Sequence, residues 1–222
     1  MKKIDLKEVT LRQETPADYR ETETLVRNAF WNQFQPGAIE HYLIHVMRDA
    51  DRFISKLDII AKYQGKTVGQ IAYMENYIQG DDGIKYPVIG IGPICVATEY
   101  EGNGIGEKLI NYTRDLAIQM GYSAILLQGD PDFYSRKGFV PSKQYSIRTV
   151  DNKYAAAQQI VVLSKTALKG VTGRYIEDSI YFFEMDAVDK FDKTFPHKEK
   201  ISGVRLQNKI NQIVGMVEDY NG

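Results

Sequence analysis

Three glycines at alternate positions, directly before a helical pattern, have the clearest chemical meaning in this sequence. Gly102, Gly104 and Gly106 follow the apolar run 94–96. Glycine allows a tight backbone turn with unobstructed N–H groups, and the N-terminal end of the following helix adds partial positive charge at the same point. The segment therefore predicts a backbone cradle for a phosphate or pyrophosphate. The alternative is a glycine-rich structural turn without a ligand.

Spacing separates this loop from two common nucleotide-binding loops. A dinucleotide fingerprint has glycine at its first, third and sixth positions, and the sixth position counted from Gly102 is Glu107. A Walker loop needs Gly-Lys-Ser/Thr after four intervening residues, whereas Lys108 precedes Leu109 here. Neither pattern fits. The residues expected to contact the phosphates are Gly102, Asn103, Gly104, Ile105, Gly106 and Glu107.

Residues 101–106 resemble the coenzyme A loop of the GNAT acetyltransferases, whose pattern is Gln/Arg-x-x-Gly-x-Gly/Ala at the start of a long helix. One position departs from that pattern, because Glu101 stands where the family has Gln or Arg. The likeness extends over about residues 8 to 165, and its other motifs are 65–69, 96–100, and 129–134 with Gly138-Phe139. The form Gly-Asp-Pro-x-x-Tyr in the last motif is similar to a bacterial branch of N-acetyltransferases.

The resemblance implies an α/β (α+β) fold with a mostly antiparallel central sheet, a parallel crossover from strand 4 to strand 5, and helices on both faces. It also implies that strands 4 and 5 splay apart. The pantetheine arm of acetyl-CoA would enter the gap and pair with main-chain groups of Ile94 and Val96, and an N–H of the segment that includes Cys95 would polarise the thioester carbonyl. Pro93 fits such a distortion, because proline lacks a ladder donor.

By the same resemblance, Tyr134 is the expected general acid. An amine that attacks the thioester expels coenzyme A as a thiolate, which a nearby hydroxyl can protonate. The alternative is a buried tyrosine whose hydroxyl satisfies a backbone group. Asp130 is predicted to be an N-cap, because Pro131 follows it at the first helical position. No general base is assigned, and the acids near the expected cleft are Glu75, Asp81, Asp82 and Glu99.

We expect no metal site. His41 and His45 are four residues apart on a predicted helix, a spacing that can bind metal, but neither a third ligand nor a His-Glu-x-x-His pattern accompanies them. Cys95 lies in an apolar strand and is expected to pack rather than react. The co-substrate expected from the resemblance is acetyl-CoA alone.

The composition limits the classes of partner and location. Among 222 residues, 28 Lys+Arg face 29 Asp+Glu, so the net charge of −1 provides no strong field for nucleic acid or an anionic membrane. No apolar run approaches the length of a membrane span, and the first residues lack the apolar core of a signal peptide. The single cysteine excludes an internal disulfide and fits a reducing compartment. We expect a cytoplasmic protein.

Hydrophobic periodicity predicts the elements that position these motifs. A helix is expected to open at Thr15-Pro16 and to run to about Trp31, and another follows Gly37. The long helix after the cradle should bury one stripe and end at Gly121. That stripe comprises Ile105, Leu109, Tyr112, Leu116 and Met120. The predicted strands are 9–12, 57–63, 67–78, one from about Tyr86, 124–127, 159–163 and one within 174–185.

The chain is expected to divide into an acetyltransferase domain, 1–190, and a C-terminal extension, 191–222. Residues 191–200 have the composition of a charged connector, and a helix is predicted to start near Ser202. Its apolar stripe is Leu206, Ile210, Ile213, Val214 and Val217. The stripe either docks on the chain's own domain or pairs with a second copy, so monomer and homodimer both remain open.

Two functions are compatible with these patterns. The first is an acetyl-CoA-dependent N-acetyltransferase that transfers the acetyl group directly to a primary amine of a small molecule or peptide. The second is a non-catalytic coenzyme A or acyl-CoA binding module. The acidic Glu101 and the lack of an assigned base support this alternative. Release of free thiol from acetyl-CoA distinguishes the enzyme from the module.

Overall fold

A nine-stranded, mostly antiparallel sheet is the centre of the computed structural model, which describes residues 2–164 and 166–220. Its strand order is β1-β2-β3-β4-β5-β9-β6, and β10 pairs with β3 and β7. The strands are β1 (Thr10–Gln13), β2 (Ile59–Tyr63), β3 (Lys66–Gly80), β4 (Lys85–Val96), β5 (Ala124–Gln128), β6 (Val140–Pro141), β7 (Ile147–Arg148), β8 (Lys153–Ala155), β9 (Gln158–Val162), β10 (Gly173–Ile176) and β11 (Val217–Asp219). Strands β8 and β11 form a separate two-stranded sheet.

Helices cover both faces of the sheet. They are α1 (Tyr19–Phe30), α2 (Glu40–Met47), α3 (Ile105–Gln119), α4 (Pro131–Tyr134), α5 (Met185–Asp192) and α6 (Arg205–Gly215). On the α3 face, alternate strand residues such as Tyr73 and Ile89 pack against Leu109. On the α1/α2 face, Ala72 and Met74 pack with apolar residues of α1 and α2. This alternation follows from the two-residue period of a strand and gives the sheet two apolar faces.

The predicted fold class is confirmed, including the gap between strands 4 and 5. β4 and β5 pair in parallel only at Ile89 with Ile125 and at Gly90 with Leu126. Beyond Gly90, β4 continues to Val96 without pairing with β5 in the described parts of the chain. The two strands therefore separate toward the end of β4 that leads into the glycine-rich loop.

A bulge in β4 lies at the start of this open segment. Ile94 pairs with Ile71 and Ile91 pairs with Tyr73, so Gly92 and Pro93 together occupy the space opposite a single residue of β3. Proline has no N–H to donate to the ladder, and an extra residue bends the strand that carries it. The distortion that Pro93 predicted is thus present, and it coincides with the separation of β4 from β5.

The prediction that α1 opens at Thr15-Pro16 is wrong. α1 begins at Tyr19, and the preceding residues form a turn that is held by the carboxylate of Asp18. The Thr15 hydroxyl donates to Asp18 Oδ2 at 2.7 Å, and Arg12 donates to Asp18 Oδ1 at 2.6 Å. Because Asp18 binds both groups, Thr15 closes a turn instead of capping a helix.

The apolar stripe predicted for α3 is partly wrong. Tyr112 and Met120 are each 39% exposed, although Ile105 and Leu109 are buried as expected. The buried stripe continues instead through Thr113 and Ala117. Thr113 tolerates this position because its hydroxyl is 2.7 Å from the hydroxyl of Tyr73 in the core. A satisfied polar residue therefore occupies the place that the apolar pattern gave to Tyr112.

The C-terminal extension packs on the rest of the chain and differs from its prediction. The expected boundary at residue 190 falls within α5, and Phe195 of the expected connector is buried. α6 begins at Arg205, its Val214 is 61% exposed, and Val217 belongs to β11. The connector segment packs through its aromatic residues, because Phe191 stacks on His41 and His45 of α2 and Arg20 of α1 lies over the ring of Phe195.

α6 lies against the domain of its own chain in the described structure. Gln207 Nε2 donates to the carbonyl of Asn32 at 3.1 Å, and Ile213 is buried. Lys209 also forms ion pairs with Asp130 and Asp132 at the start of α4. Among residues 2–164 and 166–220, no helix is long and apolar enough to cross a membrane.

Candidate active site

The loop from Gly102 to Glu107 has the backbone of an anion cradle. Gly102 and Gly104 have φ values of +73° and +85°, in the left-handed region that favours glycine. Gly104 is also the N-cap residue of α3. Within the described residues, none of the N–H groups from 102 to 107 donates to a protein acceptor. Six consecutive donors are consequently available at the positive end of a helix.

Side chains near the cradle are engaged in holding the N-terminal residues of the chain. Asn103 Nδ2 donates to the carbonyl of Lys2 at 2.8 Å, and Asn103 Oδ1 accepts from the N–H of Ile4 at 3.3 Å. Lys108 Nζ donates to the carbonyls of Leu6, at 3.0 Å, and Val9. Asn103 therefore offers the cradle its main-chain N–H, and its side chain has a structural role that no local pattern indicates.

Glu107, the last residue expected in the cradle, has an ion partner within the protein. Its Oε2 accepts from Lys137 Nζ at 3.0 Å. This pair links the first turn of α3 to the segment that follows α4. The carboxylate is thus neutralised next to the donors of the cradle. Glu107 contributes its main-chain N–H to the six N–H groups of the cradle.

The open segment of β4 directs main-chain groups of Ile94 and Val96 into the gap. The N–H of Ala97 donates to the carbonyl of Val68 at 2.9 Å, so Ala97 faces β3. Main-chain groups alternate in direction along a strand, and those of Ile94 and Val96 therefore point away from β3, toward the space that β5 has left. Cys95 points its thiol into the core of the α1/α2 face.

The thiol of Cys95 is inert in this environment. Burial raises its pKa, and the negative charge of Glu40 raises the pKa further. The thiolate is the reactive form of cysteine, so a raised pKa removes the nucleophile. Cys95 is accordingly a packing residue through its side chain, as the sequence predicted.

Physical requirements explain the spacing of the motif 129–134. Asp130 is the N-cap of α4, as predicted, and it accepts from the N–H of Asp132 at 2.9 Å, while Pro131 is the first helical residue. Gly129 must be glycine, because a Cβ there would lie 2.4 Å from the ring of Tyr134. The glycine thus admits the ring, and the cap and proline fix the turn that carries it.

Tyr134 presents an unpaired phenol beside the gap. Its ring makes edge contacts with Phe133 and Phe139, and no partner for its hydroxyl occurs among residues 2–164 and 166–220. Burial raises the pKa of Tyr134 to about 12, and the charge of Asp130 contributes. The phenol therefore keeps its proton at neutral pH, which is the form that a general acid needs.

The four acids named as possible bases all have partners. Asp81 binds Arg148 and the hydroxyl of Thr172, and the Thr172 hydrogen bond is the first cause that lowers its pKa. The remaining three contacts are Glu75 with the hydroxyl of Tyr122 at 2.9 Å, Asp82 with the hydroxyl of Tyr86 at 2.5 Å and Glu99 with Lys2 at 3.4 Å. None of the four therefore presents a free carboxylate to the gap.

A fifth acid, Glu40, was missed by the sequence analysis. It lies in the first turn of α2 and its carboxylate accepts from the N–H of Ile39 at 3.0 Å. Burial raises the pKa of Glu40 to about 7, and its charge acts on Cys95 in the open segment of β4. An acid at a helix start is common, and only the packing of α2 on β4 distinguishes this one.

The two histidines of α2 make stacking and ion-pair contacts within the protein. His41 is buried and stacks on Phe191, and burial lowers its pKa. His45 contacts Glu23 at 3.0 Å and stacks on the same phenylalanine with ring centroids 4.3 Å apart. In the described ranges, no group of three or more possible metal ligands is present. The pair therefore anchors α5 to α2.

A helix-start cradle, a gap between parallel strands and a tyrosine at the gap together define an acyltransferase of the GNAT type. The model of the Acetyltransferase (GNAT) family matches residues 18–139, which is more than half of the chain. The chain belongs to this family and is an acyltransferase.

Among curated proteins, the chain is 29% identical over 163 residues to the uncharacterised N-acetyltransferase YhbS of Escherichia coli, covering 73% of this chain and 92% of YhbS. It is also 33% identical over 86 residues to YjhQ of the same species, covering 38% of this chain and 46% of YjhQ.

Solved structures show the same fold. The crystal structure of YhbS in complex with CoA has a TM-score of 0.69 and 27% identity, covering 78% of this chain and 92% of that one. A GNAT acetyltransferase of Brucella melitensis in complex with acetyl-CoA has a TM-score of 0.59 and 22% identity, covering 78% of this chain and 98% of that one. The second likeness concerns the fold alone.

Proposed function

We propose that this protein is an acetyl-CoA-dependent N-acetyltransferase that transfers the acetyl group directly to a primary amine of a small molecule or peptide. The observation that carries the proposal is the continuity of the open β4 segment with the cradle. Main-chain groups of Ile94 and Val96 point into the gap, and the chain then leads within a few residues to the free donors of 102–107. An extended arm that ends in a pyrophosphate matches this layout.

In this proposal, the main chain binds the donor. The N–H groups of 102–107 hold the pyrophosphate, and the pantetheine arm pairs with Ile94 and Val96. An N–H of the 94–96 segment donates a hydrogen bond to the thioester oxygen, which becomes negative as the amine attacks. Crystallisation of YhbS with CoA supports a coenzyme A donor for a related chain.

The proposed reaction forms a C–N bond and breaks a C–S bond. The neutral amine attacks the thioester carbon, and the tetrahedral intermediate then expels coenzyme A as a thiolate. Tyr134 gives its phenolic proton to this sulfur, and the nitrogen loses its extra proton to solvent or to a base. The unpaired hydroxyl of Tyr134 supports its role as the acid, and the raised pKa keeps that hydroxyl protonated at neutral pH.

Glu40 is the base that we propose for the amine. A base works best when its pKa lies near the working pH, and the pKa of Glu40 is about 7. The residue lies in the first turn of α2, which packs on β4, and its charge acts on Cys95 of the open segment. A bound water completes the path where the amine does not contact the carboxylate directly.

Thiol release from acetyl-CoA, measured with a panel of amines and peptides, tests the proposed function. We expect equimolar amounts of free coenzyme A and N-acetylated acceptor. A non-catalytic binding module would instead show thermal stabilisation by coenzyme A without product. That result would reject the enzyme and favour the module.

A further inference from the structure

Polar side chains cover the point where the gap opens, on the face opposite α3. Gly90 is the last residue of β4 that pairs with β5, and a Cβ there would lie 2.3 Å from Asn76 Nδ2 and 2.4 Å from the hydroxyl of Tyr175. Asn76 Nδ2 donates to that hydroxyl at 2.7 Å. Gly90 is therefore required for two polar groups to approach the strand at this point.

A carboxylate without a cation lies beside these groups. Ile176 pairs with Tyr77, so Glu177 follows β10 next to Asn76 on the same face. The neighbouring Asp178 pairs with Arg52 at 3.6 Å, whereas no ion pair of Glu177 is found in the described ranges. Burial raises the pKa of Glu177. A half-buried carboxylate without a positive partner is less favourable than a paired one, and a bound cation would supply the partner.

Tyr181 adds an unsatisfied hydroxyl to the same cluster. Its oxygen is buried and has no hydrogen-bond partner with acceptable geometry, although Asn76 is its neighbour. Burial first, and then the charge of Glu177, raises the pKa of both Tyr175 and Tyr181. The main chain beside Glu177 is held at Asn76, because the N–H of Asp178 donates to Asn76 Oδ1 at 2.9 Å. Buried polar groups such as the Tyr181 hydroxyl normally have partners.

We propose that Asn76, Tyr175, Glu177 and Tyr181, here called the amine cluster, form a subsite for a second, non-reacting ammonium group of a cationic acceptor. An ammonium carries three N–H donors and no acceptor, so the Glu177 carboxylate and the tyrosine oxygens match it in charge and in hydrogen-bonding type. The inference rests on the proposed function and narrows its acceptors to cationic amines. Neutral or acidic acceptors do not satisfy Glu177.

The position of the amine cluster fits an approach from the α1/α2 face. Tyr134 packs with the core of the α3 face, while Gly90 and Asn76 face the other side of the sheet. A donor in the gap would then have its leaving sulfur near Tyr134 and its carbonyl open to an amine from the opposite side. The leaving sulfur and the attacking amine would then lie on opposite sides of the strand edges that hold the donor.

Titration calorimetry of the full chain, saturated with coenzyme A, tests this inference with butane-1,4-diamine and spermidine as probes. We expect Glu177→Gln to weaken the binding of both amines by about 10-fold or more, because the charge is lost while the size of the side chain is kept. Butane-1,4-diol is the uncharged comparison. Glu184→Gln is the matched control, since Glu184 is exposed and makes no capping hydrogen bond.

Coenzyme A affinity should be unchanged in both variants, which shows that they fold. In steady-state assays, Glu177→Gln should raise KM for the amine and leave KM for acetyl-CoA unaltered. Equal amine binding by wild type and Glu177→Gln, or no amine binding by wild type, would overturn the subsite. Glu177-dependent binding without any thiol release would support the subsite and reject the proposed acetyl transfer.

Discussion

The proposed donor side and the proposed acceptor side of this protein are built in different ways. The cradle consists of main-chain groups from six consecutive residues, 102–107, and its side chains serve other contacts. The amine cluster consists of side chains from two distant segments, and its Asn76–Tyr175 hydrogen bond joins residues 99 positions apart. A backbone site depends on local conformation, whereas a side-chain site depends on how β10 docks on β3. The first kind is therefore visible in a sequence, and the second is visible only in the fold.

The largest expected effect is a loss of coenzyme A affinity, which concerns the donor side alone. Gly104→Val should weaken coenzyme A binding by about 10²-fold or more, because a branched side chain at positive φ distorts the cradle and enters ligand space. Calorimetry with coenzyme A measures the loss. Gly65→Val is the matched control, since Gly65 has φ +80° with no atom within 4 Å of a Cβ. Wild-type affinity in a folded Gly104→Val protein would exclude the loop as the phosphate site.

The next effect concerns the proton donor between the two sides. Tyr134→Phe should lower turnover by about 10²-fold while acetyl-CoA affinity holds, because only the hydroxyl is removed. The loss should shrink with a thioester whose leaving thiol is more acidic. Tyr145→Phe is the control, because Tyr145 is an exposed tyrosine. Unchanged turnover with both thioesters would make Tyr134 a packing residue.

The third prediction tests the acceptor side through the pH dependence of kcat/KM. If ionised Glu40 is the base, kcat/KM should rise as the pH passes about 7, where the pKa of Glu40 lies. Glu40→Gln should flatten that rise and lower kcat/KM by about 10-fold or more at pH 8. A variant that retains both the rate and the pH profile would remove Glu40 from the mechanism.

A stability measurement provides a second readout for Glu40. The folded pKa of about 7 exceeds the ordinary value of 4.5, so the stability of wild type should fall as the pH rises through 7. Glu40→Gln, which cannot ionise, should lose less stability between pH 6 and pH 8. Parallel Tm curves for the two proteins would contradict the raised pKa.

Changes in the C-terminal extension should have the smallest effect on activity and should mainly alter stability. Deletion of residues 202–222 removes the buried Ile213 and the contacts of Lys209 with α4, so Tm should fall by several degrees. The mass in light scattering should stay that of a monomer, since α6 packs on its own chain. A full-length dimer that dissociates on truncation would show that α6 pairs between chains.

Local patterns predicted the cradle, the capped turn of α4 and the strands that flank α3. Each depends on neighbouring residues, as Asp130 and Pro131 illustrate. The sequence misassigned Thr15, Tyr112 and the connector after Phe191, where a side chain from another segment decides the outcome. Asp18 binds Thr15, Tyr73 accommodates Thr113, and His45 stacks on Phe191. Periodicity contains no information about such partners.

The acceptor side was unpredictable for the same reason. Glu40 and Glu177 are ordinary acids in the sequence, and neither belongs to a motif. Their environments arise from the packing of α2 on β4 and of β10 on β3, which reduces the exposure of both residues to water and raises the pKa values of their carboxylates. The resemblance to GNAT enzymes covers the donor side well, and it provides no pattern for these residues.

A crystal structure of the protein with acetyl-CoA tests the central claim most directly. The account predicts the pyrophosphate within hydrogen-bond distance of the N–H groups of 102–107, the pantetheine arm in the gap beside Ile94 and Val96, and the thioester sulfur near the hydroxyl of Tyr134. Acetyl-CoA bound elsewhere, or bound in the gap with its sulfur remote from Tyr134, would contradict it.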